Sequence, residues 1–166
     1  MHIIKHFITI THHRHLVIRH AFKVGIGFRG LFHDLSKYSF VEFFNGAKYY
    51  KGDMSPTEYE RMDIGYSKAW LHHKGRNKHH LEYWFDISNV SHKYEAVEMP
   101  IKYLKEMFCD RIAASKTYLK KEYKDSSPYD YFMTHQGKAL MNIKSASLME
   151  EWLYMLKSLQ KLFQLF

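Results

Sequence analysis

The stretch LFHDLSKYS, Leu31 to Ser39, constrains the fold more than any other part of this 166-residue chain. It sets His33 and Asp34 side by side between Leu31, Phe32 and Leu35. An imidazole and a carboxylate can be buried with such neighbours only if other groups compensate their charge and lone pairs. Segments remote in sequence must therefore converge on them. Asp110 poses the same problem, since it stands in MFCDRIAASK beside Phe108, Cys109, Ile112, Ala113 and Ala114. A fold that satisfies both places has to bring at least two apolar segments together around an ionisable cluster.

The elements available for this are helices. The three prolines, Pro56, Pro100 and Pro128, each stand where a helix can begin, and a first-turn proline sacrifices no intrahelical bond. Ser55 and Glu58 around Pro56 form a capping-box pattern. No run shows clean alternation bounded by turn pairs. The expected fold is all-α, a single-domain bundle of about 5–7 helices over residues 1–166. Helix one covers about Ile3 to Val24 and ends near Gly25 and Gly27. A second covers Phe28 to Tyr49, which Asn45-Gly46 can interrupt. After a loop through Gly52 and Asp53, a third covers Pro56 to His73. KGRN is a turn, HHLEYWF opens a short helix, and SNVSHKYEAVE is loop. A further helix covers Pro100 to Tyr123, SSPYDYF a shorter one, and a long helix runs from about Ala146. In that last helix Leu148, Trp152, Met155, Leu159, Leu162 and Phe166 alternate in spacings of four and three. This stripe is either a core face or, with Phe163 and Leu165 beside it, the seam of a homodimer.

Histidine is the compositional outlier, at thirteen residues. It is the commonest metal ligand among side chains and titrates nearest neutral pH. Helix one carries His13, with His6 and His20 seven residues to either side, on nearly the same face. Consecutive helical residues diverge by about 100°, so His33 and Asp34 would have to reach one ion from a helix flank. One histidine, a His-Asp pair and a distant aspartate, on three helices, make a mixed nitrogen and oxygen site for a divalent transition metal. The residues are His13, His33, Asp34 and Asp110.

These four resemble the signature H…HD…D of the HD superfamily of metal-dependent phosphohydrolases, and HDLSK is similar to the HD-x-x-K form of many members. The runs RGLFHDLSKYS, GYSKAWLHHKGRNKHHLEYW and CDRIAASK also resemble a small bacterial and phage family near that superfamily, to which no activity is assigned. The resemblance implies an HD-like helical fold and places Lys37 toward phosphate. Two-metal HD proteins add histidines between the HD pair and the last aspartate. His72, with Gly75 three residues on, matches that context. The resemblance thus implies His72 and His79 as further ligands of a second ion that Asp34 bridges, with His73 and His80 contacting phosphate or serving as an acid. The alternative for WLHHKGRNKHHLEYW is a surface histidine turn, although Trp70, Leu71, Leu81, Tyr83 and Trp84 beside it suit a pocket wall.

Lys and Arg total 25 against 17 acidic residues, a formal charge of +8. That balance favours an anionic partner, a phosphorylated ligand, a nucleic acid or an acidic protein, over a purely solubilising role. Arg76 and Arg111 are candidate phosphate contacts, Arg111 equally a surface ion pair. The single cysteine, Cys109, permits no intramolecular disulfide and suits a reducing compartment. No apolar run reaches the length of a membrane span, and the expected location is cytoplasmic. GxxxxGK[ST], GxGxxG and HExxH are all absent. The expectation is a phosphohydrolase using one or two Fe, Mn or Zn ions on a small phosphorylated substrate such as a nucleotide. Its rivals are a di-iron oxygenase and a metal-stapled protein that binds nucleotide or nucleic acid without turnover.

Overall fold

Ionisable and small residues, rather than a continuous apolar stripe, decide how the helices meet. In the computed structural model, which describes residues 1–134 and 137–163 with side chains through 158, α1 (Ile3–Lys23) buries His6, Ile10, His13, Val17 and Ala21 on one face. That face lies against α6 (Ile101–Leu119), where Cys109 and Ala113 pack on Val17. These are small side chains, so the two helices approach closely enough to share a polar site. The short α2 (Gly27–Gly30) also sits close on α1, because a Cβ at Gly30 would collide with the Cβ of Ala21. On the other flank α3 (Phe40–Tyr49) brings Gly46 against the His6 ring, with no room for a side chain.

The expected helix from Phe28 to Tyr49 is divided, and the break falls at 31–39 instead of Asn45-Gly46. Asp34 adopts φ 52°, ψ 28°, a left-handed conformation that a right-handed helix cannot contain. A 3₁₀ turn, Leu35–Tyr38, follows, and extended Ser39 starts α3. The expected helix from Pro56 to His73 is likewise two: α4 (Pro56–Ile64) ends at Gly65, φ 82°, and α5 (Lys68–Lys74) begins after Ser67. Buried Glu60 on α4 accepts the Ser67 hydroxyl at 2.5 Å and the Ala69 N–H at 3.3 Å, while the Ser67 hydroxyl accepts from Trp70 N–H at 2.9 Å. These bonds satisfy N–H groups that the first turn of α5 cannot pair internally.

HHLEYWF yields only a 3₁₀ turn, Leu81–Tyr83, and the region read as loop contains half of a hairpin. Strands β1 (Phe85–Ile87) and β2 (Tyr94–Ala96) pair antiparallel, with Phe85 opposite Ala96 and Ile87 opposite Tyr94. Helix α6 stops at Leu119, four residues before the expected Tyr123, because Lys120 takes φ 52°. Beyond it lie α7 (Ser127–Thr134), α8 (Gly137–Leu140) and α9 (Ile143–Phe163). The main core joins α6, α7 and α9 through Leu104, Met107, Phe132, Met149 and Leu153. On α9 the buried line runs through Ala146, Met149 and Leu153, one position away from the expected stripe. Leu148 and Trp152 flank the core and Met155 is exposed. The side chains of Leu159, Leu162 and Phe163, and all of Leu165 and Phe166, lie outside the described residues. Among the described residues the fold is mainly α, and no helix is long and apolar enough to cross a membrane.

Candidate metal centre

Five segments meet where α1 faces α6. Helix α1 supplies His13, the turn after α2 supplies His33 and Asp34, α5 supplies His73, the turn after it supplies His79 and His80, and α6 supplies Asp110. The left-handed backbone at Asp34 is what turns its carboxylate inward next to His33. Three sets of potential ligand atoms result among the described residues, each with all members within 4.8 Å of one another; one is His33, His79 and Glu106, and the other two both contain Asp34. Of these two, the first is His13, His33, Asp34 and Asp110; the second is Asp34, His73, His79 and His80.

Asp34 belongs to both. Its Oδ2 lies 3.2 Å from His33 Nε2, and its Oδ1 lies 3.3 Å from His73 Nε2 and 3.4 Å from His79 Nε2. Asp110 Oδ1 is 2.9 Å from His13 Nε2 and 3.7 Å from His33 Nε2. His80 Nε2 is 2.9 Å from His73 Nε2. Nitrogen and oxygen ligands sit about 2.0–2.2 Å from zinc-sized ions, so ligand atoms on one ion lie roughly 3–4 Å apart, as these do. Hydrogen bonding does not account for the arrangement. The Nε2 atoms of His13, His33 and His79 and both Asp34 oxygens are buried without a hydrogen-bond partner of proper geometry. Buried polar atoms are rarely left so, and atoms of this donor set aimed at common points fit a metal ion.

A second layer of carboxylates fixes which nitrogen faces inward. Glu106, one helical turn before Asp110, places Oε1 3.1 Å from His33 Nδ1 and 3.3 Å from His79 Nδ1. Its Oε2 is paired with Arg29. Glu42 on α3 holds His73 Nδ1 at 2.7 Å and also accepts from the Ser36 hydroxyl at 3.1 Å. With Nδ1–H donated to a carboxylate, each Nε2 presents a lone pair to the centre, the usual way a metal-binding imidazole is oriented. Glu106 could have been found from its i, i+4 spacing to Asp110; Glu42 could have been found as an acid inside the apolar run FVEFF.

Charge in the centre is balanced locally. Burial pushes the Asp34 carboxyl up, but His33, Lys37, His73 and His79 outweigh it and hold Asp34 well below the usual carboxylate range. Burial likewise opposes Asp110, yet the neighbouring His13 and His33 imidazoles, 2.9 and 3.7 Å from its Oδ1, keep it well below its ordinary value. His33 is lowered by burial and raised more strongly by Asp34, Asp110 and Glu106, ending well above an ordinary imidazole, so a metal would have to displace a proton from its Nε2. Burial and the neighbouring His79 and His73 hold His80 well below it, and burial with Lys37 lowers His13. His13 and His80 are therefore neutral, with lone pairs free to bind.

The candidate residues distribute as follows. His13, His33, Asp34, Asp110 and His79 fall in the two sets. His73 and His80, read as catalytic, stand among the second set, whereas His72, read as a ligand, points its Nδ1 to Glu42 Oε1 at 2.6 Å and belongs to neither. Lys37 lies on Asp34 Oδ2 at 2.6 Å with its side chain 31% exposed, and the Asp110 side chain is 17% exposed. Arg76 is exposed and bonds the His72 carbonyl at 3.1 Å. Arg111 turns away from the centre and lies over the Phe132 ring. His6 packs on Phe43 and Tyr50, and His20 meets Lys116 at 3.3 Å; neither joins the sets. Cys109 is buried, and burial pushes its thiol up to about 12, so it is no nucleophile. No curated protein matches the chain, and no solved structure does. A family model does, over residues 2–155, and the chain belongs to that family, one of unknown function (DUF5662).

Proposed function

We propose that this protein is a metal-dependent phosphohydrolase with two ion sites, acting on a nucleotide or another small phosphoester. The observation that carries the reading is the sharing of Asp34: its two oxygens face two separate sets of imidazole nitrogens. Ions held by His13, His33, Asp34 and Asp110 and by Asp34, His73, His79 and His80 would polarise a phosphoryl oxygen and lower the pKa of a bound water. The likeness of His13, His33, Asp34 and Asp110 to the H…HD…D signature supports the same reading.

Roles follow for the chain's own groups. The Lys37 ammonium, partly exposed beside Asp34, binds a phosphoryl oxygen as a point charge. Glu106 and Glu42 hold His33, His79 and His73 in the tautomer that keeps Nε2 free. His73 and His80 serve as ligands in this arrangement, and His72, on Glu42, orients that carboxylate.

Metal content by elemental analysis, followed by phosphate and nucleoside release from a broad nucleotide panel, tests the proposal. The expected result is close to two equivalents of Fe, Mn or Zn in wild type, loss of metal in Asp34→Ala, and turnover that disappears with the metal. Bound metal with oxygen consumption and no phosphate release would move the site to the di-iron oxygenase class. Bound metal with salt-sensitive nucleic-acid binding and no turnover would make it a structural staple.

A further inference from the structure

Behind the imidazoles, on the side away from Asp34, a pocket of about 330 Å³ is lined by Phe28, Arg29, Phe32, Arg76, Asn77, Lys78, His79 and Glu106. Asp34, Asp110 and His13 do not line it. Glu106 separates the two regions: its Oε1 faces the Nδ1 atoms of His33 and His79, and Arg29 covers its Oε2. The pocket and the candidate metal centre thus share His79 and Glu106 as a wall.

The lining has two parts. One wall is aromatic: Phe28 and Phe32 stand 78% and 58% exposed, with ring centroids 5.4 Å apart. Two phenylalanines left this open beside a concavity mark a contact surface, since isolated exposure has no such neighbour. The rest of the lining includes three cations. Arg76 and Lys78 have no carboxylate within 4.0 Å among the described residues, while Arg29 is already neutralised by Glu106 and stacked over Tyr103. Lys78 lies near the Tyr83 and Tyr103 rings. An unpaired guanidinium and ammonium beside an aromatic wall match a ligand with a planar ring on one side and a phosphate on the other. The volume is at the small end for ligand pockets.

We propose that this pocket is a second binding site, distinct from the metal centre, for a mononucleotide-like compound: the ring on Phe28 and Phe32, the phosphate on Arg76 and Lys78. Neither part suffices alone, which separates this site from a general anion patch.

Calorimetric titration of the full chain with adenosine monophosphate, adenosine and inorganic phosphate tests it, once as purified and once after metal removal by a chelator. After metal removal the nucleotide should bind one to one, and adenosine or phosphate at least 10-fold more weakly; with metal present any additional binding or turnover belongs to the metal centre. Stacking on an aromatic side chain is worth ~5- to 150-fold per base, so Phe28→Ala should weaken the nucleotide within that range and leave phosphate unchanged. Arg76→Ala combined with Lys78→Ala should weaken both. All these side chains are solvent-accessible, so the variants keep the fold. Absence of nucleotide binding, or binding that needs metal and ignores these substitutions, would overturn the proposal. Nucleotide binding in a protein that never takes up metal would keep this site and reject the phosphohydrolase reading; the reverse result would do the opposite.

Discussion

Glu106→Gln changes one atom and tests the organisation of the whole centre. In wild type a single oxygen, Oε1, accepts from His33 Nδ1 at 3.1 Å and lies 3.3 Å from His79 Nδ1, and Oε2 meets the Arg29 guanidinium. An amide cannot serve both sides. If its oxygen faces the imidazoles, its NH₂ group meets Arg29, donor against donor. If it turns over, the NH₂ group forces Nδ1 of both rings to accept, and the proton moves to Nε2, where a metal would bind. Hydrogen bonds to a charged acceptor are worth about 1 kcal/mol more than neutral ones. Two such contacts make about 2 kcal/mol, or roughly 30-fold in metal affinity, inside the 10- to 100-fold range usual for residues that orient a ligand. Metal-free wild type and variant would be titrated with Co²⁺, read by its visible absorption against a competing chelator. Thermal unfolding of the metal-free proteins would report any separate effect on folding. A change in Co²⁺ affinity of less than about 3-fold would refute the assignment of His33 and His79 as ligands oriented by Glu106.

Other outcomes follow from the same geometry. His73→Ala should lower metal stoichiometry to about one equivalent, whereas His72→Ala, which loses only a contact to Glu42, should leave two; elemental analysis of both variants distinguishes them. Glu60→Ala strands the Ser67 hydroxyl and the Ala69 N–H at the start of α5. It should cost about 2–3 kcal/mol in chemical denaturation and weaken the second ion set, which depends on His73, more than the first. Burial, then the charge of Lys37, holds His6 down at about 4 in the folded protein. Because that value is depressed below the unfolded 6.5, its contribution is present above pH 6.5 and lost as pH falls toward 4. The loss amounts to up to about 3 kcal/mol. Denaturation of wild type and His6→Gln at pH 7 and pH 4.5 should show the variant losing less stability over that interval.

What could be read from the residues alone divides along physical lines. Helices were legible because prolines and apolar spacing are local signals, although Ser55 makes no side-chain cap bond at the start of α4 and Glu58 pairs with Arg61 instead. The convergence of His13, His33, Asp34 and Asp110 was legible because a carboxylate among Phe108, Cys109 and Ile112 demands a partner wherever it is found. The divisions at Asp34 and Gly65 were not, since whether a residue takes a positive φ depends on what the chain gains from turning there. At Asp34 the gain is a carboxylate facing two sets of imidazoles, a tertiary effect absent from the string LFHDLSKYS. The hairpin at 85–96 escaped notice because three-residue strands are too short to show alternation.

The order of the four clustered histidines shows the same limit most sharply. His72 and His73 are chemically identical neighbours about 100° apart around α5, and spacing to Gly75 favoured the first. Packing decides otherwise. Glu42 and Glu60, buried acids on α3 and α4, set the roll and the start of α5, so that Nε2 of His73 reaches Asp34 at 3.3 Å while His72 remains partly exposed beside Glu42. A ligand set is thus a property of how helices are rolled against one another. In this chain the roll is fixed by buried carboxylates that hold histidines in place, which is why Glu42, Glu60 and Glu106 carry as much of the argument for a metal centre as the residues that would touch the metal.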